Sequence, residues 1–265
     1  MKLLDGSTAT KKHLLENAKD DEFYYGYLGR VAFSSTIIKT LLNSPKSFYY
    51  YRKYGDQQES AALSLGRIIH VMAIEPEVFN DQYELVEVKS KNTNKFKEAK
   101  LNSQKACITL TEYEQANRIV DALMKNEAYT GRLRNSRGEV PAIGEIGGYP
   151  FRAKADILKE PYMYDLKTTT DLRSFPYAAK KYGYDIQAYI YTTLFNIKPK
   201  DFEFIAIDKS SLDIGIYTIT DEFVESGKEK VEHALDTYTN MFAAKSDSEC
   251  QNEINNYYIQ GTLDA

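Results

Sequence analysis

Residues 151–168 read FRAKADILKEPYMYDLKT, two strand-like runs separated by a turn. Tyr149–Leu158 and Tyr162–Leu166 are the runs, and Lys159, Glu160 and Pro161 between them favour a turn. Side chains alternate along a strand, so Asp165 and Lys167 emerge on one face. Asp156 lies nine positions before Asp165, on the first run. If the runs pair as a hairpin, both aspartates converge on one hard cation. Mg²⁺ takes oxygen ligands and keeps several waters, so one or two carboxylates and a substrate phosphate suffice to hold it. It acidifies a bound water and neutralises phosphoryl oxygens. A neighbouring lysine orients that water or stabilises developing charge. The set suits metal-dependent cleavage of a phosphodiester. Read in isolation, Asp165 and Lys167 also fit a surface ion pair worth about 0–1 kcal/mol, the commoner arrangement for such a triplet.

Working outward, Val140–Ile146 reads as a preceding strand that turns at Gly147–Gly148. Glu145 on it either reaches the metal volume of Asp156 or faces solvent as an edge residue. After the hairpin, Tyr184–Phe195 reads as a helix on which Gln187 and Tyr191 share a face. A glutamine amide both donates and accepts, which suits orienting a water, a carboxylate or a nucleotide; an ordinary polar helix face is the alternative. Upstream, a helix from Ser60 to Ile74 carries Leu63, Leu65, Ile68, Ile69 and Met72 around His70. A histidine there is more often a satisfied core residue than a ligand. Gly66 weakens that helix and permits close approach of a backbone or a phosphate.

The remaining elements frame these. Ser35 caps a helix containing Ile37, Ile38, Leu41 and Leu42, and Pro45 interrupts it. KSFYYYRKY, residues 46–54, interleaves cations and aromatics, a pattern that contacts phosphate and stacks bases or else fills core and rim. Val86–Val88 is a short strand, residues 89–105 a Lys/Asn-rich surface segment, and Thr111–Glu114 a capping box before a helix to Asn126. Phe202–Ile207 and Ile214–Ile219 form a hairpin, and Thr220–Asp221 caps a last helix to Ala244. The expected organisation is one α/β domain: a polar lead-in at 1–30, a mainly helical part at 31–130, an α/β core at 138–245 and a loosely held polar tail at 246–265. Arg132, Arg134, Arg137 and Arg152 add positive charge around the central strands, either for phosphate contact or as solvated surface.

Composition sets limits. The 265 residues carry two cysteines, too few for a disulfide framework or a Cys-based cluster. No signal-peptide core and no membrane-length apolar run occurs, so an intracellular, soluble protein is expected. The net charge of −4 argues against nucleic-acid binding through overall basicity but permits a local basic channel. The chain has 22 tyrosines and no tryptophan; tyrosine suits interfaces and base stacking, and it also fills cores where its hydroxyl finds a partner.

Taken in order, Gly66-x3-His70, Glu145, Asp156, Asp165-x-Lys167 and Gln187-x3-Tyr191 resemble the RecB-type branch of the PD-(D/E)XK nucleases, and most of all its RecE or exodeoxyribonuclease VIII group from phages and prophages. SSTIIKTLLNSPKSF, GRIIHVMAIEPEVF, YDLKTTTDLRSF and YGYDIQAYIY extend the likeness over residues 34–200. Ala155 stands where the family name has proline, and Asp165 where it has glutamate. The resemblance implies a restriction-endonuclease-like α/β core, a central mixed sheet flanked by helices, with an N-terminal helical elaboration. It implies His70, Glu145, Asp156, Asp165 and the Leu166 carbonyl around Mg²⁺ or Mn²⁺, with Lys167 acting on the attacking water. Gln187 and Tyr191 shape the site. Lys39, Lys46, Arg52, Arg67 and Arg152 are candidate DNA contacts. No iron–sulfur cluster is expected, since the cysteine pattern of that subgroup is missing. The implied activity is 5′→3′ digestion of linear duplex DNA ends in the cytoplasm of a bacterial or phage-infected cell. A single-strand annealing protein is the implied partner, and a ring-shaped homo-oligomer the implied assembly. An endonuclease, a single-strand-preferring nuclease and a catalytically silent DNA-binding protein are the alternatives on the same core.

Overall fold

The computed structural model describes residues 1–55 and 61–261, with side chains from residue 64 onward in the second stretch. The expected helix start at Ser60 and the Leu63 side chain lie outside the described residues. Among the described residues no helix is long and apolar enough to cross a membrane.

The N-terminal third is helical, and its boundaries follow from caps. Helix α1 spans Lys11–Asn17. Helix α2, Ser35–Asn43, is capped by Ser34, whose hydroxyl accepts from the Ile37 N–H, rather than by Ser35. Pro45 does not merely interrupt it. It opens helix α3, Pro45–Tyr54, at the first position, where its missing N–H costs nothing, and Ser44 supplies the cap. Helix α4, Ala61–Ile74, carries His70 and ends just before Pro76. Strand β1, Tyr83–Val86, pairs in parallel with β2, Ala106–Thr109, around helix α5, Asn94–Asn102, which buries Phe96. Residues 89–105 are thus partly ordered structure. Helix α6, Leu110–Lys125, starts from a capping box formed by Thr109 and Glu112, two residues earlier than expected. Helix α7, Glu127–Leu133, had no sequence signal beyond its Asn126 cap.

Five strands form the central sheet in the order β3-β4-β5-β6-β7: β3 Arg137–Ile146, β4 Tyr149–Lys159, β5 Tyr162–Thr169, β6 Phe202–Asp208 and β7 Ile214–Thr218. Only β5 and β6 are parallel; the crossover between them carries helices α8, Phe175–Lys181, and α9, Tyr184–Phe195. Gly147 and Gly148 both have positive φ, which a tight turn between right-twisted strands requires. Helix α10, Asp221–Met241, packs closely on α9, and a Cβ on Gly227 would stand 2.0 Å from the Asp185 carbonyl oxygen. The fold is therefore a mixed α/β sheet with helices on both faces. One core layer joins α2, α3, α9 and α10 to Phe151 and Ala153, and another joins α4 and α6 to Ile157 and Leu166.

Two expectations about the ends are corrected. Residues 1–30 are more than a partly ordered lead-in: Leu3, Leu14, Ala18, Tyr24 and Leu28 bury themselves with Ile143 of β3. Residues 246–256 are not a loose tail: helix α11, Asp247–Asn256, begins with a Ser246–Glu249 capping box and buries Cys250 and Ile254. In the tail the apolar residues are few, and in the first thirty residues those that dock on β3 are widely spaced among charged ones, so composition hid an amphipathic face.

Candidate active site

Alternation on β4 puts Arg152, Lys154 and Asp156 on one face, where Asp156 meets His70 of α4, and on β5 it turns Asp165 and Lys167 to one side, where Asp165 meets Gln187 of α9. The β4–β5 ladder ends at the Ile157–Tyr164 pair. Asp156 and Asp165 are the next residues on their strands, where the pairing stops and the strands open. One backbone donor freed there is reused, since the Leu166 N–H donates to Asp156 Oδ2 at 2.8 Å. His70 reaches the same carboxylate from α4, with Nδ1 3.4 Å from Oδ2.

A third acid joins them from β3, and it is not Glu145. Glu145 is exposed beside the Gly147–Gly148 turn, opposite Pro150 and six residues up the strand, about 20 Å of strand length. Glu139 stands in its stead. His70, Glu139 and Asp156 bring one ligand atom each to within 4.8 Å of one another. Glu139 has φ +46 and interrupts the β3–β4 ladder between the Gly138–Ile157 and Val140–Ala155 pairs. A non-glycine residue held in the left-handed region costs about 1–3 kcal/mol, and such strain gathers at functional sites. Counting back from the Ile146–Tyr149 pair places residue 139 opposite Asp156, so the turn and the register already contained this residue.

The electrostatics are those of crowded, buried acids. Burial raises the Asp156 pKa to about 6, aided by Asp165 and opposed by His70, Lys167 and the Leu166 N–H. Burial also raises Glu139 to about 8, with Asp156 adding to the rise. At neutral pH Glu139 holds a proton that an ion would displace, while Asp156 is mostly ionised and takes up a proton only as the pH falls toward 6. Asp165 is 1% exposed. Its Oδ1 accepts from Gln187 Nε2, and its Oδ2 meets the Lys167 ammonium as an ion pair without a further hydrogen bond. Burial alone would lower Lys167; Asp165, Asp156 and Tyr184 outweigh it and raise its pKa. Lys167 is therefore a cation at neutral pH, a donor and not a base. Burial drives the Tyr191 pKa well up, and the neighbouring Gln187 side chain opposes that rise only weakly.

These groups line a cleft of about 1550 Å³ that also takes in Lys39, Arg52, Arg67 and Arg152. Lys46 is exposed on α3, outside this cleft. Burial, with Lys167 beside it, lowers Lys39 to about 8. The cleft thus brings together His70, Asp156, Asp165, Leu166, Lys167, Gln187 and Tyr191, takes in Glu139, and leaves Glu145 outside. Three carboxylates and an imidazole fit a divalent ion such as Mg²⁺ or Mn²⁺. Asp165 Oδ2, buried with only the lysine against it, has lone pairs to give.

A family model described as a PDDEXK-like domain of unknown function (DUF3799) matches residues 34–257. The chain belongs to this family. That places the PDDEXK-like chain in the PD-(D/E)XK superfamily and identifies its domain as nuclease-like. A solved structure from Eubacterium rectale, provisionally named an exonuclease, aligns with a TM-score of 0.62 at 15% identity, covering 98% of this chain and 97% of its own. This likeness shows the fold of the PDDEXK-like chain. A phage related exonuclease from Haemophilus somnus 129PT covers 83% of this chain and 99% of its own at 16% identity, with a TM-score of 0.37 that supports no argument. No curated protein matches the sequence.

Proposed function

We propose that this chain is a Mg²⁺-dependent exonuclease that digests linear double-stranded DNA in the 5′→3′ direction and leaves 3′ single-stranded tails. The observation that carries a metal-dependent nuclease is the convergence of His70, Glu139 and Asp156 beside the Asp165–Lys167 pair at the point where β4 and β5 part. His70, Glu139, Asp156 and Asp165 would hold the ion, and Mn²⁺ can replace Mg²⁺ on such donors. A bound ion there supplies Lewis acidity and an acidified water.

The protein groups do the rest. Gln187 holds Asp165 in orientation through its amide, and Tyr191 lies beside Gln187. Lys167, charged and directed by Asp165, donates toward the attacking water and the phosphoryl oxygens, where charge builds in the transition state. Lys39 and Arg152 bring positive charge to the cleft and receive backbone phosphates of the strand. Duplex polarity, a single-strand annealing partner and a ring-shaped assembly rest on the resemblance to the RecE group.

Asp165→Ala and Lys167→Ala test this reading. Each variant is expected to lose digestion of linear duplex DNA by more than about a hundredfold while keeping its circular dichroism spectrum. Wild-type rates in either purified variant refute it.

A further inference from the structure

The family match begins at residue 34, yet residues 21–30 form one wall of the active-site cleft. Glu22–Tyr27 is a π-helical turn, a rare geometry that gathers at functional sites. It is fixed to the catalytic strand by a 2.6 Å ion pair from Lys154, only 8% exposed, to Asp21. It presents two tyrosines in opposite ways. Tyr24 is buried, with the Arg152 guanidinium 4.4 Å from its ring centre. Tyr25 meets Tyr24 edge to face, is 59% exposed and lines the cleft, with Arg152 at 5.8 Å and Lys154 at 5.0 Å from its centroid.

Arg152 is the second anomaly. It is 5% exposed, and its Nε has no hydrogen-bond partner. Among the described residues it pairs with no carboxylate, whereas Lys154 has Asp21 and Lys167 has Asp165. Tyr24 lies against the guanidinium, but a buried cation with an orphan Nε and no carboxylate beside it is still costly, and an incoming anion lowers that cost. It sits four residues before Asp156 on the same face of β4, about 13 Å along the strand. An open aromatic face and a waiting cation, side by side, are the two halves of a nucleotide-binding subsite.

We infer that Tyr25 and Arg152 form a subsite for one nucleotide unit of the substrate, the base stacked on the Tyr25 ring and a phosphate held by Arg152. A base offers its whole face only where no neighbour is stacked on that side, at a strand end or a frayed pair. The subsite therefore recognises a terminal or unstacked nucleotide. This deepens the nuclease reading and rests on it for the class of substrate.

The test uses binding without cleavage: the full chain in EDTA, with a short linear duplex carrying 2-aminopurine at its end. Wild type is expected to quench the terminal fluorophore. Tyr25→Ala is expected to weaken binding about 5- to 150-fold and abolish the quench, and Tyr25→Phe to keep both. Arg152→Gln is expected to lower the slope of log affinity against log salt by about one. Equal binding by Tyr25→Ala and wild type, or equal losses in Tyr25→Phe and Tyr25→Ala, overturns the subsite. A terminal 5-iodouracil photocross-linked to wild type guards against a misfolded variant: an adduct within residues 21–30 supports the subsite, and adducts only elsewhere overturn it. Neither readout needs hydrolysis, so failure here leaves the nuclease reading standing, and failure of cleavage leaves these outcomes readable.

Discussion

Replacing Glu139 with glutamine separates the metal site from everything around it. In the ion-free protein the Glu139 pKa is raised to about 8 by burial and by Asp156, from an ordinary value of 4.5. An acid with a raised folded pKa binds its proton more tightly in the folded chain. Its ionisation therefore opposes folding: the penalty is absent below the unfolded pKa, grows between 4.5 and about 8, and is complete above. Glutamine removes that penalty, so Glu139→Gln is expected to melt no lower than wild type in EDTA at pH 9. The ion acts oppositely. A ligand at a hundred times its dissociation constant stabilises by about 2.7 kcal/mol. For a chain of this size that is about 5–10 °C in melting temperature. Glu139→Gln removes one of three converging ligand atoms and is expected to lose most of the Mg²⁺- or Mn²⁺-induced shift. Glu145→Gln, at the exposed end of the same strand, is expected to keep it. Thermal melts of the three proteins with ion and with EDTA make the comparison. A full shift in Glu139→Gln, or a lost one in Glu145→Gln, refutes the assignment.

Two further outcomes follow from the same geometry. Asp156 and Glu139, raised to about 6 and about 8, must release protons to a bound ion, so calorimetry in buffers of different ionisation enthalpy should find tighter ion binding with rising pH from 6 to 8 and net proton release; pH-independent binding contradicts the site's electrostatics. Gly227→Ala puts a methyl 2.0 Å from the Asp185 carbonyl oxygen, and helix backbone on both sides gives little room to yield, so a loss of about 1–3 kcal/mol is expected in urea unfolding; an unchanged midpoint means α9 and α10 are spaced differently.

The hairpin that carries the chemistry was legible because strand alternation is strict. Asp165 and Lys167 could only share a face, and a lone Glu160–Pro161 turn left Asp156 opposite Asp165. Gln187 was legible as a helix face, though its contact with Asp165 was not. Glu139 was missed for a local reason. The run of strand-like residues begins at Val140, and the left-handed backbone at Glu139 lies outside what β-propensity reads. Register supplied the missing constraint, since the Gly147–Gly148 turn alone fixes which residue faces Asp156. Glu145 has the right chemistry at the wrong end of that strand. The N-terminal wall was illegible because polar residues outnumber the few, widely spaced apolar ones that dock it on β3. The cation–aromatic contacts of Tyr24 and Tyr25 join residues more than a hundred positions apart, which no local pattern records.

End-labelled linear duplex DNA and a closed circle of the same sequence, each incubated with purified chain in Mg²⁺ or in EDTA, test the central claim most directly. The account predicts stepwise loss of nucleotides from the linear 5′ ends in Mg²⁺, an intact circle, and no digestion of either in EDTA. Digestion that persists in EDTA, cutting of the closed circle, or an untouched linear duplex in Mg²⁺ contradicts it.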